Sequence, residues 1–199
     1  MPATAPETFC PASPPHWREW LQAHHAEKQS VWLIYHKKHS ATPSLTWSQA
    51  VDEALCFGWI DSRAQPLDDE RYRQFFSRRK PGSGWSKINK AKVARLVAAG
   101  LMTPAGFASI ETAKQNGAWT LLDDVEELRL PADLAQPLQA QPLAARYFER
   151  LSRTDRRNIL QWLVLAKRPA TRQKRIAEIV ALAAQQLKPA QFRRRPGPR

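Results

Sequence analysis

Apolar positions recur with two different periods along the chain, and the switch between them marks its elements. Trp17, Trp20 and Leu21 follow Pro14-Pro15 at i, i+3 and i+4, which predicts a helix. Val31-Trp32-Leu33-Ile34-Tyr35-His36 is β-branched and aromatic and predicts a strand. Thr46 is placed to cap a helix through Ala50, Val51, Ala54 and Leu55. Phe57-Gly58-Trp59-Ile60 and Tyr72-Arg73-Gln74-Phe75-Phe76 predict two more strands, joined across Asp68-Asp69-Glu70. Ser86 then caps a helix to about Ala99, closed by Gly100, and Thr103-Pro104 opens another that runs to Asn116-Gly117.

Beyond that point the strand period is gone. Pro131, Pro137 and Pro142 predict short turns or single-turn helices between 130 and 143. A helical pair follows, with Ile159, Trp162, Leu163 and Ala166 before Arg168-Pro169, and Ile176, Ile179, Val180, Ala183 and Leu187 after it. The expected fold class is α+β: a small antiparallel sheet flanked by helices, with a C-terminal helical module. The expected organisation is a flexible leader over 1–13, an α+β domain over 14–128, a helical module over 129–187 and a basic disordered tail over 188–199. No internal repeat is present.

Hydrophobic residues make up 43% of the 199, with eight tryptophans, so the chain can build a true interior and wholesale disorder is excluded. Thirty-one cations face 18 acids, a net charge of +13, which favours anionic partners without choosing among them. Cys10 and Cys56 lie in such different surroundings that a structural disulfide is not expected, and no spacing suits zinc. The start lacks a basic n-region and an apolar h-region, and no stretch reaches the about 18 apolar residues of a spanning helix. The expectation is a reduced, soluble, cytoplasmic protein without a membrane span. Nothing in the sequence sets its oligomeric state.

Residues 71–95 hold nine cations and no carboxylate, around Lys80-Pro81-Gly82-Ser83-Gly84-Trp85-Ser86. Like charges this dense repel unless an anion or solvent screens them. A helix beginning at Ser86 presents unpaired N–H groups and about half a positive charge, which suits an anion. Lys87 and Lys90 sit unfavourably at that end unless one is bound. Gly82 and Gly84 permit close backbone approach, Arg78 and Lys80 arrive from the preceding strand, and Arg offers a bidentate fork. Asn89 shares a helical face with Val93, Leu96, Val97 and Gly100 and turns inward or into a cleft. Trp59 and Trp85 would form apolar walls. The competing view is a capped helix with solvated lysines. It is not a Walker loop, because no Gly-Lys-Ser/Thr follows at the required spacing.

Strand alternation would put Phe57, Trp59 and Asp61 on one face, where a desolvated carboxylate could act as a base. An Asp paired with one of the many arginines is the plainer alternative. Cys56 has no histidine at an informative spacing, so it is not a nucleophile candidate. His36 and His39 leave opposite faces of a strand, and His24 and His25 diverge on a helix, so metal binding is not expected. From Arg150 to Arg175 nine cations face Asp155 alone, and the helical pair has a helix-turn-helix outline. Arg156, Arg157, Arg172, Lys174 and Arg175 are its candidate nucleic-acid contacts, with the basic tail adding weak affinity. A packed hairpin with a basic outer face is the alternative.

Several of these segments together resemble the bacteriocin-protection family, also called YdeI/OmpD-associated proteins. They are Pro43-Ser44-Leu45-Thr46-Trp47, Ala50 through Asp61, Phe76 through Ser86 with Asn89, Met102 through Gly106, and Ala166-Lys167-Arg168-Pro169 with Thr171-Arg172 and Lys174-Arg175-Ile176. The likeness runs over about residues 16 to 187. It implies an α+β front part, a helical C-terminal module and a link to bacterial tolerance of antimicrobial peptides, but no reaction, cofactor or catalytic residue. The resulting expectation is a non-enzymatic stress or tolerance protein that binds an anionic small molecule or acidic partner surface. Weak nucleic-acid contact through the C-terminal arginines is the alternative. A chain of net +13 repels cationic peptides, unless Asp123, Asp124, Glu126 and Glu127 form a docking patch.

Overall fold

The computed structural model describes residues 7–42 and 44–193. The chain divides between Trp119 and Thr120 into two compact units, so the helical part begins earlier than the expected 128/129 boundary. The fold class is α+β.

The first unit is built on a four-stranded sheet in the order β1-β2-β4-β3, from β1 (Thr8–Phe9), β2 (Ser30–His36), β3 (Trp59–Pro66) and β4 (Arg71–Arg78). β4 runs antiparallel to both β2 and β3, but β1 runs parallel to β2, which corrects the antiparallel expectation to a mixed sheet. The added strand comes from the segment expected to be a flexible leader. Phe9 anchors it, because its ring lies among those of His16, Trp17 and Trp20. Residues 1–6 lie outside the described residues.

Helix starts follow local chemistry. Ser13 caps α1 (Pro14–His24), and Thr46 with Gln49 closes a reciprocal capping box at α2 (Trp47–Cys56). Both helices pack on one face of the sheet. The core joins Trp17, Trp20 and Leu21 to Val31, Leu33 and Tyr35 of β2, to Ala50, Val51, Ala54 and Leu55, and to Trp59 and Phe76. Phe57 ends α2, and Gly58 follows at φ +72, so the third strand starts at Trp59. The expected run of alternation from Phe57 to Asp61 is broken there.

Two further helices complete the unit, α3 (Lys87–Ala98) and α4 (Pro104–Gln115), capped by Ser86 and Thr103. Thr103 also donates its hydroxyl to the Cys56 carbonyl at 2.6 Å. A Cβ on Gly106 would stand 2.3 Å from that same carbonyl oxygen, so only glycine lets α4 approach α2 this closely.

The second unit is helical among its described residues: α5 (Asp123–Glu126), α6 (Ala132–Gln139), α7 (Pro142–Arg150), α8 (Arg153–Val164) and α9 (Pro169–Ala184). Pro137 was expected to break the 130–143 stretch but lies inside α6. Its ring forgoes a helical hydrogen bond, and burial of Leu134 and Leu138 against the core holds the helix regardless. The expected tail is ordered in its first part. Lys188 pairs with Asp155 at 3.0 Å, and Phe192, in a 3-10 turn over Ala190–Phe192, sets its ring 6.0 Å from that of Trp162. Arg194, Arg195 and Arg199 lie outside the described residues. No helix among the described residues is long and apolar enough to cross a membrane.

Candidate functional site

The nine cations of 71–95 do not converge on one point. Arg71 pairs with Asp68 at 2.7 Å, while Lys92 and Arg95 share Asp52 on α2 at 2.7 and 2.6 Å. Arg73 lies over the Trp32 ring and donates twice to Gln65. Lys90 sits 5.3 Å from the centre of the Trp119 ring. Part of the like-charge repulsion read along the chain is therefore relieved, by Asp68 nearby and by Asp52, Trp32 and Trp119 from distant segments. Lys80 and Gly82 are exposed, whereas Gly84 contributes its carbonyl to the interior of the turn. Neither Gly82 nor Gly84 has a positive φ.

The walls proposed for the site are core residues. Trp85 is 1% exposed and packs on Trp119 with ring centroids 5.0 Å apart. Trp59 is fully buried against Trp20 and donates its indole N–H to the His25 carbonyl at 3.4 Å. Ser86 accepts from the Asn89 amide as an ordinary cap, and Asn89 is half-buried. Asp61 is held elsewhere, accepting from the Trp47 indole at 2.9 Å and the Gln74 amide at 3.0 Å. It does not line the cleft described next.

That cleft has a volume of about 400 Å³ and gathers the end of β4, the start of β3, the turn after α1 and the flank of α4. Its apolar wall is Ala26, Phe57, Gly58, Trp59, Pro81, Ala105 and Ala108, and its polar groups are His25, Arg78, Arg79, Ser109 and Thr112. Two residues expected at a site, Trp59 and Arg78, meet here; Lys80, Trp85, Ser86 and Asn89 do not line it. Arg78 donates to the Lys28 carbonyl at 2.9 Å and to the Ala26 carbonyl, which closes off the exposed turn after α1. His25 donates from Nδ1 to the Leu21 carbonyl at 2.9 Å, which fixes its tautomer when neutral.

Sequence reasoning passed over Arg79, the cleft's most unusual group. The backbone ladder runs one step past β4, where the Arg79 N–H donates to the Gly58 carbonyl at 2.9 Å. Its guanidinium lies over Trp85 with Cζ 3.7 Å from the ring centre, and Nη2 donates to the Gly84 carbonyl at 2.5 Å. Nε and Nη1 are buried and have no acceptor. Burial pulls its pKa down to about 10, only partly opposed by the distant negative charge of Asp61. Arg79 lies one residue past β4, where strand alternation from the buried Phe76 would set it on the outer face with Phe75, so nothing in the sequence marked it as the inward group.

The C-terminal arginines are engaged inside their own unit. Arg157 forks onto Glu126 at 3.0 and 2.7 Å, and Arg172 onto Asp133 at 2.5 and 2.9 Å. Arg175 lies over the Trp162 ring and donates to the Trp162 carbonyl, and the Nε of Arg156 is buried without an acceptor. Lys174 is exposed. The acids considered as a docking patch are likewise occupied in part, Glu126 by Arg157 and Asp124 and Glu127 by Arg129. Among the described residues no cluster of three or more metal-ligating side chains occurs, and both cysteines are free thiols.

Residues 9–109, just over half of the chain, match the family model of a domain of unknown function, DUF8412. The chain belongs to that family. Residues 127–186 match the model described as bacteriocin-protection, YdeI or OmpD-associated, so the resemblance seen in the sequence is shown and resides in the second unit. The segments between 43 and 106 that also suggested it fall within the span of the first match. No curated protein matches the chain, and no solved structure does.

Proposed function

We propose that this protein serves a bacteriocin-protection role by binding a small anionic ligand in the cleft of its first unit, with Arg79 as anchor. The family match in the second unit supports the role, and one observation supports the ligand. Arg79 is a buried cation with two donors lacking acceptors, at the wall of a cavity large enough for a small molecule. An unpaired buried charge costs several kcal/mol, on the order of a whole ligand contact, so a counter-ion that reached it would bind favourably. Ser109 and Thr112 on α4 supply hydroxyls for the rest of an anionic group, and Phe57 and Trp59 accept an apolar body.

The protein acts in the cytoplasm in this proposal and does not sequester cationic peptides directly, since a net charge of +13 opposes that encounter. The internal pairing of Arg157, Arg172 and Arg175 disfavours the nucleic-acid reading of the C-terminal helices. The test is isothermal calorimetry and thermal shift with inorganic phosphate and a panel of mono- and dicarboxylates, on wild type and Arg79→Met. Heat and stabilisation in wild type that vanish in the variant support the proposal. A wild type indifferent to every anion, or a variant that binds equally, overturns it.

A further inference from the structure

The helices of the first unit pack against one face of the sheet, and the other face carries a pattern of its own. Trp32 of β2 stands directly opposite Phe75 of β4 in the register, with rings at 69° and centroids 5.0 Å apart. Arg73 lies over Trp32 at 4.3 Å, and Arg63 lies over both rings, 5.2 Å from Trp32 and 5.0 Å from Phe75. Arg63 reaches this face through a bulge. The register of β3 shifts between Asp61 and Ala64, so Ser62 and Arg63 together oppose Phe75; unbroken alternation would have turned Arg63 toward the helices.

No Asp or Glu occupies an outward position of β2, β3 or β4. Of the acids flanking these strands, Glu7 pairs with Lys28 at 3.0 Å and Asp68 with Arg71 at 2.7 Å. Trp32 itself is only 6% exposed, covered by the two arginines, so what this face offers to solvent is the Arg63 guanidinium plane with the half-buried Arg73 and Phe75 beside it, a positively charged strip without an acid on its outward positions.

We infer that this sheet face binds single-stranded nucleic acid. A base presents a π-face to a ring or a guanidinium plane whatever its identity, and the phosphate between two bases meets the in-plane N–H groups of arginine. An acidic peptide would satisfy the charge but leave the planes without partners. A duplex keeps its base faces stacked inside and offers only its phosphates. Three strands side by side span about two or three unstacked nucleotides. The net +13 of the chain would speed the encounter, with a strong dependence on salt. This inference is independent of the cleft at Arg79.

The experiment titrates the full chain into fluorescently labelled oligo-U and oligo-dT, followed by anisotropy at about 100 mM salt. The decisive variant is Arg63→Lys with Arg73→Lys, which keeps the charge and removes the planes. It should weaken binding about tenfold or more, with Phe75→Leu losing several-fold, while Lys174→Ala stays within about twofold of wild type. A thermal melt checks folding, and exposed Arg63→Lys alone carries the test should the double variant unfold. Absence of binding, undiminished binding by the double lysine variant, or equal affinity for poly-glutamate of matched charge overturns the inference.

Discussion

Arg79 lies over the indole of Trp85, its Cζ 3.7 Å from the ring centre, and one carbonyl, that of Gly84, accepts from it. A guanidinium in that position gains from the ring but is short of a counter-ion. The pair ties the turn between β4 and α3 to the core and leaves an unsatisfied positive charge beside the cleft.

Replacing Arg79 by Met should therefore cost little. The loss of the ring contact and of one hydrogen bond is offset by removing an uncompensated buried cation. Stability in anion-free buffer is expected within about 1 kcal/mol of wild type, measured by urea unfolding. A fall of several kcal/mol would show the cation to be structurally satisfied after all.

Tyr35 offers a pH test. It is fully buried, stacks on Tyr72 at 4.8 Å, and its hydroxyl has no acceptor. Burial raises its pKa above the ordinary 10.0, and burial raises that of Tyr72 as well. Above pH 10 the unfolded chain ionises these phenols while the fold keeps them protonated. The folded state then binds more protons, and stability falls as pH rises. Tyr35→Phe should leave neutral-pH stability within about 1 kcal/mol and flatten the decline between pH 10 and 12, read from melts across that window. An unchanged alkaline slope would remove Tyr35 as its source.

Asp52 is the carboxylate on which two cations of the basic run converge. Lys92 is only 12% exposed in its side chain, whereas Arg95 is 57% exposed. Asp52→Ala should destabilise by about 1–3 kcal/mol, because the largely buried Lys92 loses its only counter-charge and keeps just the Ser48 carbonyl and hydroxyl as acceptors. Arg95→Ala should cost less than about 1 kcal/mol, as exposed pairs do. Equal effects in denaturant titrations would contradict this ordering.

Gly106→Ala should be among the most damaging single-methyl changes in the chain. Its Cβ would press on the Cys56 carbonyl and on the Met102 methyl, at 2.3 and 2.6 Å. Backbone cannot yield as a flexible side chain does, and a loss of about 2–3 kcal/mol is expected by chemical denaturation. Gly100, also glycine but with open space around its missing Cβ, should lose only about 1 kcal/mol on the same change, from its φ of +67.

Helix starts were readable because their determinants are local. Ser13, Thr46, Ser86 and Thr103 each accept from an amide three residues on, and that distance is contained in the sequence. The second and fourth strands and the α8–α9 pair were readable for a similar reason, since their apolar period persists over several residues. The parallel β1 escaped notice because two residues hold no period and Phe9 is explained only by the rings of α1. The site was half readable. Arg78 and Trp59 were named and line the cleft, but Trp85 was taken for a wall when its ring belongs to the core, and Arg79 was passed over beside Lys80.

By its order of residues alone, then, this protein was committed to an α+β front, a helical back and a strongly basic surface, because propensity, capping and net charge depend on neighbours within a turn or on simple sums. Which cation meets Asp52, which meets an indole and which is left without an acceptor was decided by tertiary packing. Those outcomes turn on the left-handed break at Gly58, the bulge that turns Arg63 and the approach permitted by Gly106. Each brings together groups far apart in the chain, and only folding sets the distances between them.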